Sequence, residues 1–202
     1  MLDHTAMRIL IVGATGTIGQ AVAAELEHTH ELLRASSSRA PLRVDISDPA
    51  SIRTLYKTVG SVDAVISIAG PARFKPFTQL TDEDYAFTLT NKLMGQVNLV
   101  RFGLDSVTDG GCVILTSGVL STTPMPGSGV ISLANAGLEG FIRVAALEAP
   151  RGIRVNVVSP PWVTETLQAL GMPLAGGMPA REVAKTYARV LNDPGTGQVV
   201  VP

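Results

Sequence analysis

Short continuous apolar runs alternate along this chain with stretches whose apolar residues recur every three or four positions. The run at residues 8–12, Arg-Ile-Leu-Ile-Val, reads as a buried strand that stops at Gly13. Over residues 18–28 the period lengthens, and Ile18, Val22 and Leu26 share one stripe, which predicts a helix. Residues 31–35 and 42–45 are shorter strand signals. Residues 49–58 read as a helix with Asp48 as N-cap and Ile52, Leu55 and Val59 facing inward. Residues 62–69 are a nearly unbroken apolar strand ended by Gly70-Pro71. Thr81-Asp-Glu-Asp opens a helix expected to run to about Leu104, its early acidic residues suited to the positive end of the helix dipole. Further strands are expected at 112–116, 154–158 and 198–201, helices at 130–147 and 181–191, and an irregular loop at 171–179.

Strands alternating with helices need crossover connections, so the pattern predicts a mainly parallel sheet covered by helices on both faces. The expected fold is α/β, a single doubly wound Rossmann-type domain over residues 1–202, with residues 1–6 a flexible tail. No internal repeat interrupts it. Composition agrees: 202 residues at 46% hydrophobic and 16% charged can bury a full core. Sixteen basic against seventeen acidic residues leave a formal charge of −1. That balance argues against nucleic acid or a membrane surface as partner. The single cysteine, Cys112, closes no internal disulfide, and a cytoplasmic home is expected. No leader is read at the start, and no apolar stretch is read as approaching the ~20 residues of a membrane span. His4, His28 and His30 have no ligand spacing with acidic residues or cysteine, so no metal site is expected.

The first strand runs into Gly13-Ala-Thr15-Gly16-Thr17-Ile18-Gly19, and a helix follows. A dinucleotide pyrophosphate needs a tight turn, a backbone free of side chains and the N–H groups of a helix start; three glycines between strand and helix meet all three needs. The spacing is G-x-x-G-x-x-G rather than the G-x-G-x-x-G of NAD dehydrogenases. Together with Val44-Asp45-Ile46-Ser47-Asp48, Ala69-Gly70, Gly152-Ile-Arg-Val-Asn156, Ser159-Pro160 and Thr196-Gly197-Gln198-Val199, this turn resembles the short-chain dehydrogenase/reductase family over nearly the whole chain. The resemblance implies that Gly13, Thr15, Gly16, Thr17, Ile18 and Gly19 cradle a nicotinamide dinucleotide. It implies that Asp45 meets the adenine amino group with Ile46 packing nearby, and that Ala69, Gly70 and Pro160 border the cofactor. Val163 would present backbone groups to the carboxamide, and either Thr164 or Thr166 would touch the carboxamide or the pyrophosphate.

After the second strand the chain reads Ala35-Ser36-Ser37-Ser38-Arg39, with no Asp or Glu between Glu31 and Asp45. A ribose 2′-hydroxyl is usually met by a carboxylate, a 2′-phosphate by arginine and hydroxyls. Ser36, Ser37, Ser38 and Arg39 therefore favour NADP(H) over NAD(H).

The family's hydride chemistry uses a Tyr-x-x-x-Lys pair on the helix after the fifth strand. Here that helix reads Ile131-Ser-Leu-Ala-Asn135-Ala-Gly-Leu-Glu-Gly-Phe141, which sets Ile131 at the tyrosine position and Asn135 at the lysine position. Tyr56, Tyr85 and Tyr187 start no such pattern. The family's substrate-positioning serine falls on Gly118, with Ser117 one residue away. Its helix after the fourth strand carries an asparagine three residues before a glycine, and Lys92 holds that place, with Asn91 beside it. Lys92 and Asn135 thus read as an exchanged pair, against the alternative that Lys92 reaches out to solvent. The catalytic candidates are Ser117, Lys92 and Asn135. Trp162, Met172, Leu174 and Met178 are candidates for an apolar substrate pocket. The expected activity is an oxidoreductase with a rewired site acting on a small, apolar molecule; the alternatives are a catalytically silent NADP(H)-binding or sensing protein, and an atypical member acting on nucleotide-linked substrates. Apolar and small residues on the helices at 81–104 and 130–147 lead to an expected homodimer or homotetramer.

Overall fold

The chain, described over residues 6–202 by a computed structural model, builds one parallel sheet of seven strands. These are β1 (Arg8–Val12), β2 (Glu31–Ser36), β3 (Leu42–Arg43), β4 (Val62–Ser67), β5 (Val107–Thr116), β6 (Arg154–Val158) and β7 (Val199–Val200), in the order β3-β2-β1-β4-β5-β6-β7. Residues 1–5, which hold His4 and most of the expected tail, lie outside the described residues. The chain winds outward from β1 through β2 to β3, then returns to the other side of β1 with β4. That reversal opens a crevice at the C-terminal ends of β1 and β4, where open parallel sheets bind ligands.

Alternation along the strands sends side chains to two cores. Leu10, Val12, Val65, Val113, Leu115, Val155 and Val157 pack under α2 (Pro49–Val59), α4 (Gly95–Gly103) and α5 (Gly129–Glu148). Ile9, Ile11, Ala64, Ile66, Cys112 and Ile114 pack under α1 (Thr17–Leu26) and α7 (Ala180–Asn192). Both faces of β1, β4 and β5 are therefore apolar, which is why they read as unbroken runs. Asp48 caps α2 as expected, its Oδ1 accepting from Ala50 N at 2.9 Å.

Three expectations change. The long helix at 81–104 is composite: α3 (Asp82–Thr88), capped by Thr81, passes into a π-helical stretch at Leu89–Met94 and then into α4. Hydrophobic spacing does not register the one-residue widening of a π turn. A short α6 (Thr164–Ala169) stands where only a connection was read, and the Glu165 carboxyl accepts from Ala180 N at the start of α7. Finally, the 20 residues of α5 are long and apolar enough to cross a bilayer, contrary to the sequence reading. Leu138 and Ile142 nevertheless pack in the core under the sheet, and Val130 and Ala134 are equally at 0% exposure.

Candidate active site

The glycine turn is built by close approach. A Cβ on Gly13, which sits at φ +89°, would lie 2.7 Å from the Ile68 carbonyl carbon, and one on Gly19 would lie 2.1 Å from Gly13 O. Gly16 is the N-cap of α1 and brings no side-chain acceptor, so the first N–H groups of the helix have no capping partner from it. Gly13, Thr15 and Gly16 line a cleft of about 360 Å³ together with Ser37, Asp45, Ile46, Ala69, Gly70 and Asn91. Thr17, Ile18 and Gly19 form the first turn of α1 behind it. Asp45 faces this cleft while its Oδ1 accepts from Ser47 N and Oγ at 2.9 and 2.6 Å, so it is also the turn acceptor that its sequence allows.

The serine-arginine segment splits. Ser36 is buried, and its Oγ accepts from Arg39 N and Ala40 N at 3.1 and 3.0 Å, which shapes the turn. Ser37 lines the nucleotide cleft. Ser38 does not; its carbonyl accepts from Arg43. Arg39 is exposed and lines the adjoining groove of about 400 Å³ with Arg34, Thr15 and Gln20.

A second cleft, of about 320 Å³, continues past Gly70. Lys92, Ser117, Gly118, Ile131, Asn135, Pro160, Val163 and Thr166 line it. The structure thus brings all three catalytic candidates together from three elements: the π stretch, the end of β5 and α5. Gly70 makes this possible, because a Cβ there would come within 2.8 Å of the Lys92 Cα. Gln96 fixes the helix against β5: its amide donates to Lys92 O and Thr116 O, and its carbonyl oxygen accepts from Thr116 N.

Lys92 does not reach solvent in the way a surface lysine would. Its Nζ lies 3.4 Å from Ser117 O, and burial pulls its pKa down to about 8. Asn135 is 1% exposed; its Nδ2 donates to Gly118 O at 3.1 Å, while its Oδ1 is buried without a partner. Ser117 Oγ faces inward and donates to Glu139 Oε1 at 2.9 Å. Glu139 is itself buried and accepts from Ser121 and Ser159 as well, at 2.7 and 3.2 Å. Sequence reasoning missed this cluster; Glu139 falls four residues after Asn135, one helical turn along the same face, which was the available signal.

Other candidates stand elsewhere. Thr166, rather than Thr164, reaches the cleft, because Thr164 opens α6. Met178 pairs with Val163 and packs on the core below, and Met172 and Leu174 are absent from the cleft wall; only Trp162 of that group lines it. No tyrosine lines the cleft among the described residues. Tyr56 and Tyr187 are core residues whose hydroxyls bond Leu99 O and Thr116 Oγ1, and burial raises the pKa of both. Tyr85 sits on α3, half-buried.

A doubly wound parallel sheet with a glycine cradle at its switch point, opening into a polar-floored cleft, defines a Rossmann-type dinucleotide-binding domain. Residues 4–194 match a family described as enoyl-(acyl carrier protein) reductase, and the chain belongs to the short-chain dehydrogenase/reductase family. It is similar to the crystal structure of the protein lin1944 from Listeria innocua, at 39% identity and a TM-score of 0.93, over 97% of this chain and 99% of that one. A small-chain dehydrogenase in complex with NADPH is 25% identical with a TM-score of 0.86, over 98% and 96% of the two chains. Hydroxynaphthalene reductase arp2 of Aspergillus fumigatus is 30% identical over 127 residues, 60% of this chain but only 46% of that protein. The hydroxynaphthalene reductase-like protein Arp2 of Metarhizium brunneum is 27% identical over 226 residues, 96% of this chain and 82% of its own length.

Proposed function

We propose that the chain is an NADP(H)-dependent oxidoreductase acting on a small, apolar carbonyl, imine or activated alkene, with Lys92 and Asn135 exchanged relative to the family's arrangement. The observation that carries this reading is that Lys92, Ser117 and Asn135 line one cleft, with Lys92 Nζ against Ser117 O and Asn135 Oδ1 left buried without a partner. The tight glycine turn, where a Cβ at Gly13 or Gly19 would strike the protein's own backbone, and the orphan Oδ1 both fit a nicotinamide dinucleotide. When bound, that cofactor supplies or accepts the hydride.

The chain's own residues bind, orient and move the proton. The start of α1 offers N–H groups to the pyrophosphate. Asp45 and Ile46 stand toward the adenine, and Ser37 with Arg39 toward a 2′-phosphate; the NADPH carried by a relative supports that preference. Asn135 Oδ1 accepts from a ribose hydroxyl. Lys92 Nζ holds a proton toward the substrate oxygen, and an ammonium with a pKa of about 8 gives it up near neutrality more readily than a lysine in water. Ser117 keeps its hydroxyl on Glu139 and steadies the floor of the cleft.

The decisive experiment combines calorimetry with NADPH and a turnover screen over carbonyl and imine panels. Binding with turnover that Lys92→Ala abolishes supports the reading. Binding without turnover on any panel favours the silent binder, to which the cleft without a tyrosine also points. We further propose a cytoplasmic homodimer or homotetramer paired through the apolar face of α5, where Leu133, Val144 and Leu147 are exposed. A monomer by light scattering at micromolar concentration would refute the pairing.

A further inference from the structure

Asn91 lines the nucleotide cleft, and the backbone that carries it is held there at two points. One residue on, the Lys92 backbone lies against Gly70, where a Cβ would come within 2.8 Å of the Lys92 Cα. Four residues on, Gly95 lies against Ile46, where a Cβ would come within 2.9 Å of Ile46 Cδ1 and 3.0 Å of Ile46 O. Both contacts need glycine. Asn91 is thereby fixed in the part of the cleft wall that also holds Asp45, Ile46 and Gly70.

The Asn91 amide is oriented by its own helix. Its Nδ2 donates to Phe87 O at 2.9 Å, and a carbonyl can take only the N–H end of an amide. Oδ1, at the other end, accepts from none of the described residues. The side chain is half-buried, and Oδ1 is not sealed off as Asn135 Oδ1 is. It is therefore an acceptor for what fills the cleft. Asp45 supplies a second. Its Oδ1 is occupied by Ser47 N and Oγ at 2.9 and 2.6 Å, which leaves Oδ2, and an ionised carboxylate only accepts. Two acceptors in one cleft match a group that carries two N–H bonds on one nitrogen. The exocyclic amino group of adenine is such a group, whereas a purine with an oxo group there sets oxygen against oxygen.

We propose that Asn91 is a specificity-determining residue for the base of the dinucleotide, its Oδ1 accepting one hydrogen of the adenine amino group while Asp45 accepts the other. This rests on the dinucleotide reading of the cleft and adds to it a base-reading residue from the π-helical stretch.

NADP⁺ and nicotinamide hypoxanthine dinucleotide phosphate differ only in the base, which carries the amino group in one and an oxo group in the other. Calorimetry on the full chain should give about tenfold tighter binding of NADP⁺. Asn91→Leu keeps the bulk and removes the acceptor. It should weaken NADP⁺ about fivefold and leave the hypoxanthine form unchanged, so that only the preference given by Asp45 remains. Asn91→Ala gives the same reading where the leucine variant does not fold. Asn91→Asp keeps an acceptor oxygen in place and should keep the wild-type preference, its added charge acting on both dinucleotides alike.

Equal affinities of the two dinucleotides in the wild type overturn the proposal. A preference that survives whole in Asn91→Leu or Asn91→Ala overturns it too, as does one that Asn91→Asp loses to the same extent. Failure of the wild type to bind NADP⁺ at all is a separate result, and it removes the dinucleotide reading instead.

Discussion

Asn91 and Lys92 are neighbours in the chain, yet Asn91 lines the nucleotide cleft and Lys92 the cleft beyond Gly70. Both lie in the π-helical stretch Leu89–Met94, about a quarter-turn apart around the axis, so their side chains enter different clefts. Asn91 Nδ2 donates back to Phe87 O at 2.9 Å, within its own helix, while Lys92 Nζ reaches across to the end of β5. The π turn shifts the helical register here, and in that register Lys92 lines the cleft beyond Gly70 while Asn91 lines the nucleotide cleft.

Arg39 carries the expected preference for the phosphorylated cofactor. It is exposed, so its contribution falls at the low end for a charged hydrogen bond, about 1.5 kcal/mol. Arg39→Ala should raise the Kd for NADPH about tenfold and leave that for NADH unchanged. Calorimetry with both reduced cofactors checks this. Equal losses for the two would show that Arg39 does not read the 2′-phosphate.

Glu139 accepts three serine hydroxyls on one oxygen, inside the protein. Glu139→Ala strands the buried Ser117 and Ser159, while Ser121 keeps Gly118 O, and should cost about 2–4 kcal/mol, whereas Glu139→Gln keeps an acceptor in place and should cost about half as much. Urea unfolding of the three proteins measures this. A cost below ~0.5 kcal/mol for the alanine variant would mean that the serines find other partners.

Most of the frame was legible because burial on both faces writes strands as unbroken apolar runs. Arg8–Val12 and Arg154–Val158 were read at their observed limits for that reason. The cradle was legible because only glycine survives contacts such as that of Gly19 with Gly13 O. What stayed hidden depends on tertiary neighbours. The inward turn of Ser117 follows from Glu139, which comes from another element. The place of Thr166 over Thr164 depends on α6, a helix too short to show a period. The π turn that holds Asn91 and Lys92 leaves no mark in the residue types.

Lys92 makes stability depend on alkaline pH. Its folded pKa of about 8 lies below the 10.5 of the free side chain, so between those values the unfolded chain binds more protons than the folded one. Stability from this group therefore rises as pH climbs from about 8 toward 10.5, because the folded state sheds the cost of a buried ammonium. Lys92→Met removes the titrating group. The stability difference, wild type minus Lys92→Met, should grow between pH 8 and pH 10 by about 1–2 kcal/mol. Urea unfolding at the two values tests this, and a constant difference would place the ammonium in water.

The exchange of Lys92 and Asn135 is testable by reversing it. Ile131→Tyr with Asn135→Lys returns the family's pair to α5, at two positions that already line the cleft. With Lys92 still present, two ammonium groups share one small space, and each lowers the other's pKa and opposes a neighbouring nicotinamide cation. Adding Lys92→Asn removes that repulsion and returns an amide to the π stretch. The triple variant should therefore bind NADP⁺ more tightly than the double variant, by about fivefold or more, with the larger gap at low salt where charges are less screened. Turnover on any substrate found for the wild type should follow the same order, because the tyrosine needs one lysine beside it rather than two competing cations. Lys92→Asn alone leaves the cleft with two amides and no cation, and should lose turnover outright. Calorimetry at two ionic strengths decides the matter. Equal affinities of the double and triple variants at both would show that Lys92 and residue 135 do not share a site.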